Sequence, residues 1–317
     1  VLRHVCQAIS VASHVQAEAA RAAVANAGAP MLERLAAALG GAQHAPRPHG
    51  TRRVIVVAAG DHGIGDPGVS LGPEHPTVIA AQQIASGIAA LAHLARSAHT
   101  PIVIVDAGAR EPSHMPAVAI ALGRGPTRDL LHEPAMTVVD ATLGLEAGIA
   151  LAMSLAEGEP LALLALGALG LGAEVASAAL VGALTGRVPE GLNDPHAELA
   201  AHRGAAGPML SALEVLARYG GAETAVLAGL ILGAASINVP VILDSYATGA
   251  AALVAAAFAP PVTGYLIAAH RGSFTMPAIL AHLRLEPIFE VGLGHGEGSG
   301  AAMVLPLVDQ VVALAAS

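Results

Sequence analysis

Hydrophobic positions follow two regimes along the chain. Over the first 39 residues, apolar side chains recur at helical spacing among alanines with no β-branched run. This predicts two helices, broken near 27–30 where Gly28 and Pro30 stand. A Gly/Pro/His segment, 40–50, leads onward. From Arg53 the period shortens. Compact apolar runs at 54–59, 102–106, 136–139, 161–166, 239–243, 265–268 and 288–291 predict strands, most followed by a glycine or polar tip and a helical segment; the first of these helices is expected to run to about Ser97. Strand alternating with helix predicts an α/β fold, a mostly parallel sheet wound with right-handed crossovers.

In a parallel sheet the strand tips share one edge, so residues far apart in the chain converge on one cleft. Those at or beside the tips are Asp61 and His62, Asp106, Gly167, Asp244, His270 and Glu297. Helix capping explains an Asp at any one of them; their joint placement marks the cleft. At 287–302 the chain reads PIFEVGLGHGEGSGAA, an apolar run and then a glycine-dense turn carrying Glu297 at the strand's end. Glycines on both sides let backbone approach a ligand closely.

Composition narrows the class. The chain has 317 residues, 54% hydrophobic and 12% charged, with a mean hydropathy of +0.63. Its most apolar stretches, 224–243 and 247–270, are interrupted by Gly, Pro, Ser, Asn and Thr and divide into helix-like and strand-like halves, so buried elements are expected and membrane spans are not. Arg3, His4 and Gln7 break any signal-peptide core, and a single cysteine, Cys6, supports neither a disulfide framework nor a thiolate zinc cluster; a cytoplasmic protein is expected. A net charge of −9, no lysine and 2% aromatic residues leave neither a phosphate-tracking face nor stacking platforms, which argues against nucleic acid as a partner.

Several segments carry candidate chemistry. LGALGLG (166–172) follows a strand and opens a helix, so Gly167, Gly170 and Gly172 could free amides to cradle a phosphate; close helix packing explains them equally well, because GK[ST] and GxGxxG are absent. The loop GDHGIGDPGVS (60–70), with Glu74 and His75 nearby, has no HExxH or regular ligand spacing, so no metal is expected; His62 is expected to order the loop, and Ser70 lacks a GxSxG elbow. Glu223 opens a helix, where it suits the dipole or the cleft. Arg203, expected in a Gly/Pro-rich loop, is a candidate phosphate partner.

Seven blocks, in order, resemble one family: VVAAGDHGIGDPGVS (56–70), VDAGAR (105–110), LGALGLG (166–172), LARYGGAETAVLAGLILGAA (216–235), PVILDSYATGAAALVA (240–255), YLIAAHR (265–271) and GHGEGSGAAMVLPL (294–307). The chain is thereby similar, from about Arg53 onward, to the nicotinate-nucleotide:dimethylbenzimidazole phosphoribosyltransferases of cobalamin synthesis. The resemblance implies a doubly wound, Rossmann-like sheet in a large domain, 48–300, and a small helical domain built from 1–47 and 301–317. It also implies a homodimer, no cofactor, and transfer of phosphoribosyl from nicotinate mononucleotide to a benzimidazole-type base, giving the α-nucleotide. The family's proton acceptor corresponds to Glu297, and the substrate-binding candidates are Asp61, His62, Ser70, Gly167, Gly170, Gly172, Arg203, Glu223, Asp244, His270 and Ser273. The chain also departs from the family pattern. GEMGIGNTT is here GALGLGAEV, with Ala168, Ala173 and Glu174 at the changed positions; KPxGSLGxLE is reduced to NAGAPMLERL (26–35); HRSAEPGH has become HRGSFTMP (270–277); and a pocket Gln is replaced by Val78 or Ile79. Two functions follow: a transferase with altered base preference, or a non-catalytic or partly catalytic homologue that binds a nucleotide or base, working beside a competent paired subunit.

Overall fold

The computed structural model describes residues 1–317 other than Pro67, Gly123, Arg124, Ser273, Phe274, Gly292, Gly294 and His295. Among the described residues one sheet of six parallel strands forms: β1 (Arg53–Gly60), β2 (Ile102–Gly108), β3 (Ile120–Ala121), β4 (Leu163–Leu169), β5 (Val241–Leu243) and β6 (Leu266–Ala268), in the order β3-β2-β1-β4-β5-β6. The central strands β1 and β4 are buried along their whole length, as strands covered on both faces must be.

Side-chain alternation sorts the helices into two layers. Val54, Val56 and Ala58 of β1 face one core, built with α1 (Leu2–Ala8), α6 (Val138–Leu155), α7 (Ala173–Thr185), α8 (Pro195–Ala205), α9 (Ala212–Tyr219), α10 (Ala222–Ser236), α11 (Tyr246–Phe258) and α12 (Met276–Leu283). Ile55, Val57 and Ala59 face the other, built with α2 (His14–Val24), α3 (Pro30–Ala42), α4 (Pro76–Ala85), α5 (Ala90–Ser97) and α13 (Ser299–Ala316). The strand order reverses direction between β1 and β4, and a crevice opens beyond the carboxyl ends of strands at such a point.

Four expectations are corrected. The apolar run at 136–139 is the start of α6: Thr137 Oγ1 accepts the Asp140 amide at 3.1 Å, and this capping box outweighs the β-branched valines. The run at 288–291 makes a bridge, Phe289 to His270, in place of the expected strand, and Glu297 stands just before Gly298, the N-cap of α13. The single helix expected up to Ser97 is two, interrupted around Gly87, whose φ is 81°. The N-terminal region holds three α-helices, with the break near 25–29 where it was expected.

Three stretches, Pro76–Ser97, Val138–Leu155 and Ser299–Ala316, are long and apolar enough to cross a membrane by length and composition alone. The first spans the two helices α4 and α5, and α6 and α13 contribute buried residues to the two cores flanking the sheet.

Candidate active site

The tips of β1 and β4 are knitted together by Asp61, which is 3% exposed. Its Oδ1 accepts the Thr77 hydroxyl at 2.6 Å and the Leu171 amide at 2.9 Å, and its Oδ2 accepts the Arg110 amide at 2.8 Å. One carboxylate therefore ties the loops after β1, β2 and β4 to α4. His75, fully buried, stands with Nδ1 3.8 Å from Asp61 Oδ2. A Cβ at Gly170 would overlap the carbonyl of Gly60, so glycine is what lets the loop after β4 lie on the tip of β1.

Next to Asp61, His62 Nε2 lies 3.1 Å from Glu223 Oε1, which also accepts the Thr224 hydroxyl at 2.7 Å. Both partners are buried. Burial alone would pull His62 down, but the charge and hydrogen bond of Glu223 more than reverse it and hold the imidazole above its usual value. Burial likewise opposes ionisation of Glu223, and His62 overcomes it, leaving the carboxyl below its usual range. Glu223 thus anchors the start of α10 to the β1 tip rather than only facing the helix dipole.

Glu297 lies in the turn before α13, half-buried, with its main chain seated on the tip of β4. The Ala168 amide donates to the Gly296 carbonyl at 2.9 Å, and a Cβ at Gly167 would overlap the Glu297 carbonyl. From β5, Asp244 reaches the same turn through the amides of Gly298 and Ala301, at 3.2 and 2.8 Å. Burial pushes the Asp244 carboxyl up to about 7 against the pull of these amides, and the charge of Glu297 adds to the rise. His270, at 0% exposure, packs on Gly300; burial holds it below its usual value.

Gly172, with φ 82°, precedes the first turn of α7, whose residue Glu174 has Oε1 shielded from solvent. Burial, then the charge of Asp194, raises this carboxyl above its usual range. Tyr246, at the start of α11, is pushed up to about 12 by burial and by the charges of Glu174 and Glu223.

The structure therefore brings Asp61, His62, Gly167, Gly170, Gly172, Glu223, Asp244, His270 and Glu297 to one edge of the sheet. Ser70 stands apart on an exposed loop, donating to Glu111 Oε1 at 2.6 Å. Arg203 is corrected from loop to helix: it lies in the last turn of α8 and its guanidinium donates to the carbonyl of Leu131. Ser273 lies outside the described residues. Thr77 and Thr224 were missed because single hydroxyls without a motif carry no signal until the fold supplies their partners, and His75, weighed in the sequence only as a metal ligand, stands beside Asp61. Among the described residues, buried side-chain atoms without a hydrogen-bond partner on His62, His75, Glu174 and Glu223 lie at this edge. A separate cavity of about 530 Å³ opens beside the β2 tip between α6 and α10, lined by Ala107, Thr127, Met136, Leu143 and Ala222 among others.

Comparison with known proteins agrees with this geometry. A family model described as phosphoribosyltransferase matches residues 7–317. The nicotinate-nucleotide–dimethylbenzimidazole phosphoribosyltransferase of Roseiflexus sp. (strain RS-1) is 37% identical over 295 residues, covering 87% of this chain and 82% of the relative. That of Chromobacterium violaceum is 36% identical over 298 residues, covering 89% and 86%. Among solved structures, CobT from Thermus thermophilus superposes with a TM-score of 0.83 at 30% identity, covering 96% of each chain. With its doubly wound sheet and its strand-tip cleft, the chain belongs to the nicotinate-nucleotide:dimethylbenzimidazole phosphoribosyltransferase family.

Proposed function

We propose that the protein transfers phosphoribosyl from nicotinate mononucleotide to a benzimidazole-type base, with Glu297 as the proton acceptor. The observation that carries this reading is the seating of the Glu297 turn on the tips of β4 and β5, at the crevice beside β1. Nicotinate leaves through a ring nitrogen that is already cationic, so no acid is needed to expel it. The attacking ring N–H is a weak nucleophile until its proton is taken. Glu297 takes that proton as the ring nitrogen bonds to the sugar carbon, the bond to nicotinate breaks, and attack from the opposite face gives the α-nucleotide. A positioned base supplies about 10²- to 10⁴-fold, and alignment of the two rings about the sugar carbon supplies much of the rest. The first turn of α7 offers amides and a favourable dipole for the phosphate, against which the carboxyl of Glu174 in the same turn counts as a cost. Arg203 is already spent on the Leu131 carbonyl, which weighs against its proposed role.

Packing of α2 and α3 with α13 supports reading 1–47 and 301–317 as one small helical unit, although α1 also packs on α6 and α10. Family membership and the outward apolar side chains of α6, Val138, Val139 and Leu143, support a homodimer; sedimentation is expected to give about twice the 31.3 kDa protomer mass. The single cysteine and the family's biosynthetic role support a cytoplasmic location.

The test is direct. Purified protein incubated with nicotinate mononucleotide and dimethylbenzimidazole should form the α-nucleotide, and Glu297→Gln should lower kcat about 10²- to 10⁴-fold. Binding of both ligands without turnover, alike in wild type and variant, would instead support the non-catalytic homologue, to which Ala168 near the end of β4 lends its weight.

A further inference from the structure

The side chain of Asp244 reaches the turn that carries Glu297 from below. Asp244 follows β5 and is 0% exposed. Its Oδ1 accepts the Ala301 amide at 2.8 Å and its Oδ2 the Gly298 amide at 3.2 Å, so both oxygens are occupied by the first turn of α13. The backbone that carries it is fixed in turn: the amides of Asp244 and Ser245 donate to Thr248 Oγ1 at 2.9 and 3.0 Å. Gly300 makes the grip possible, since a Cβ there would stand 2.8 Å from Asp244 Oδ1 and overlap the His270 ring. On its other side the turn rests on Gly167 and Ala168 of β4. A residue so enclosed, with both oxygens engaged, has no atom to offer a substrate.

We propose that Asp244 is a positioning residue of the reaction: by gripping the amides of Gly298 and Ala301 it fixes where the Glu297 carboxylate stands over the strand tips. The inference rests on Glu297 being the proton acceptor. Hydrogen bonds from the first-turn amides of a helix to a carboxyl group are directional, whichever protonation state it holds. A displacement of about 1 Å at a reacting group costs on the order of 100-fold in rate. Asn in place of Asp keeps the volume and one acceptor, but its NH₂ faces an amide N–H, so one end of the grip opens without leaving a void.

A double-mutant cycle separates positioning from simple structural support, because a residue acting through another loses its effect when that other is removed. Rates are measured for wild type, Asp244→Asn, Glu297→Gln and the double variant at saturating nicotinate mononucleotide and dimethylbenzimidazole. The expected result is a fall in kcat of roughly 10- to 100-fold for Asp244→Asn. The KM for nicotinate mononucleotide should stay within about 3-fold, and the same change in the Glu297→Gln background should alter the residual rate by less than about 2-fold. Equal losses in both backgrounds, or wild-type kcat in Asp244→Asn, would overturn the proposal. Wild-type kcat in Glu297→Gln would instead remove the acceptor role itself, a result the Asp244 arm cannot mimic. Should Asp244→Asn not fold, Gly300→Ala, which keeps the carboxylate but displaces the turn it grips, is expected to show the same background-dependent loss, and equal losses in both backgrounds would again overturn the proposal.

Discussion

A carboxyl shut away from water, as at Asp244, keeps its proton to a pH at which an aspartate in the unfolded chain has already lost it. Its folded value of about 7 stands against 3.8. Between those values the native state binds the extra proton, so the contribution of Asp244 to stability falls as pH rises from about 4 to about 7 and is level above, by roughly 4 kcal/mol in all. Asp244→Asn removes this dependence: urea midpoints measured across that range should show the variant gaining on wild type as pH rises. The sign differs at the His62–Glu223 pair. His62 is raised, so its contribution is full below the usual imidazole value and lost as pH climbs through the folded one; Glu223 is lowered, so its contribution is full above the usual carboxylate value and lost as pH falls through the folded one. The pair is therefore most stabilising between the usual carboxylate and imidazole values, 4.5 and 6.5. There, His62→Ala should cost about 3–5 kcal/mol in denaturant unfolding, because it strands a buried charge. The acidic tips were legible in the sequence only jointly, since capping accounts for an Asp at any one of them and the alternation of strand and helix is what put them on one edge. What Asp61 does was not, because its partners Thr77, Arg110 and Leu171 lie 16, 49 and 110 residues away.

Helices in this chain meet through glycine and alanine. A Cβ at Gly148 of α6 would overlap the Val226 carbonyl of α10, and one at Gly229 would overlap the Leu145 carbonyl in return. Gly182 and Gly204 do the same between α7 and α8. Gly148→Ala is expected to destabilise by about 1–3 kcal/mol through overpacking, read as a lower urea midpoint. The same composition explains what could be read at this scale. Between Ala222 and Ser236 nearly every residue of α10 is buried, so a helix apolar all round gives no amphipathic stripe and is recognised by its length and its glycine start. Where length and β-branching misled, as at 136–139, the deciding signal was three residues wide: Thr137 with Asp140. At 288–291 the apolar run had only the outer strand's end to pair with, through His270 and Phe289, and pairing stopped at a bridge.

At the scale of the whole molecule, the alternation of apolar runs and helices was enough to give a parallel sheet, and the family blocks gave its winding. Neither revealed how the C-terminal helix is joined to the first strand. Arg53, 8% exposed, extends its guanidinium to Asp309 at 2.6 and 3.0 Å, to Thr100 Oγ1 at 2.9 Å and to the Ala98 carbonyl at 2.7 Å. One fork thus joins the start of β1, the approach to β2 and the middle of α13. Arg53→Ala should cost roughly 3 kcal/mol, because it leaves buried acceptors unpaired as well as breaking the ion pair. Thermal unfolding followed by circular dichroism would read this as a lower Tm.

The footing of Glu297 has a consequence for how such an enzyme can diversify. Its supports come from Gly167 and Ala168 near the end of β4 and from Asp244 after β5, and among the described residues of 62–79 none hydrogen-bonds to it. Mutations that reshape that first loop and the helix behind it can drift toward a new acceptor molecule while the proposed proton acceptor stays bolted in place.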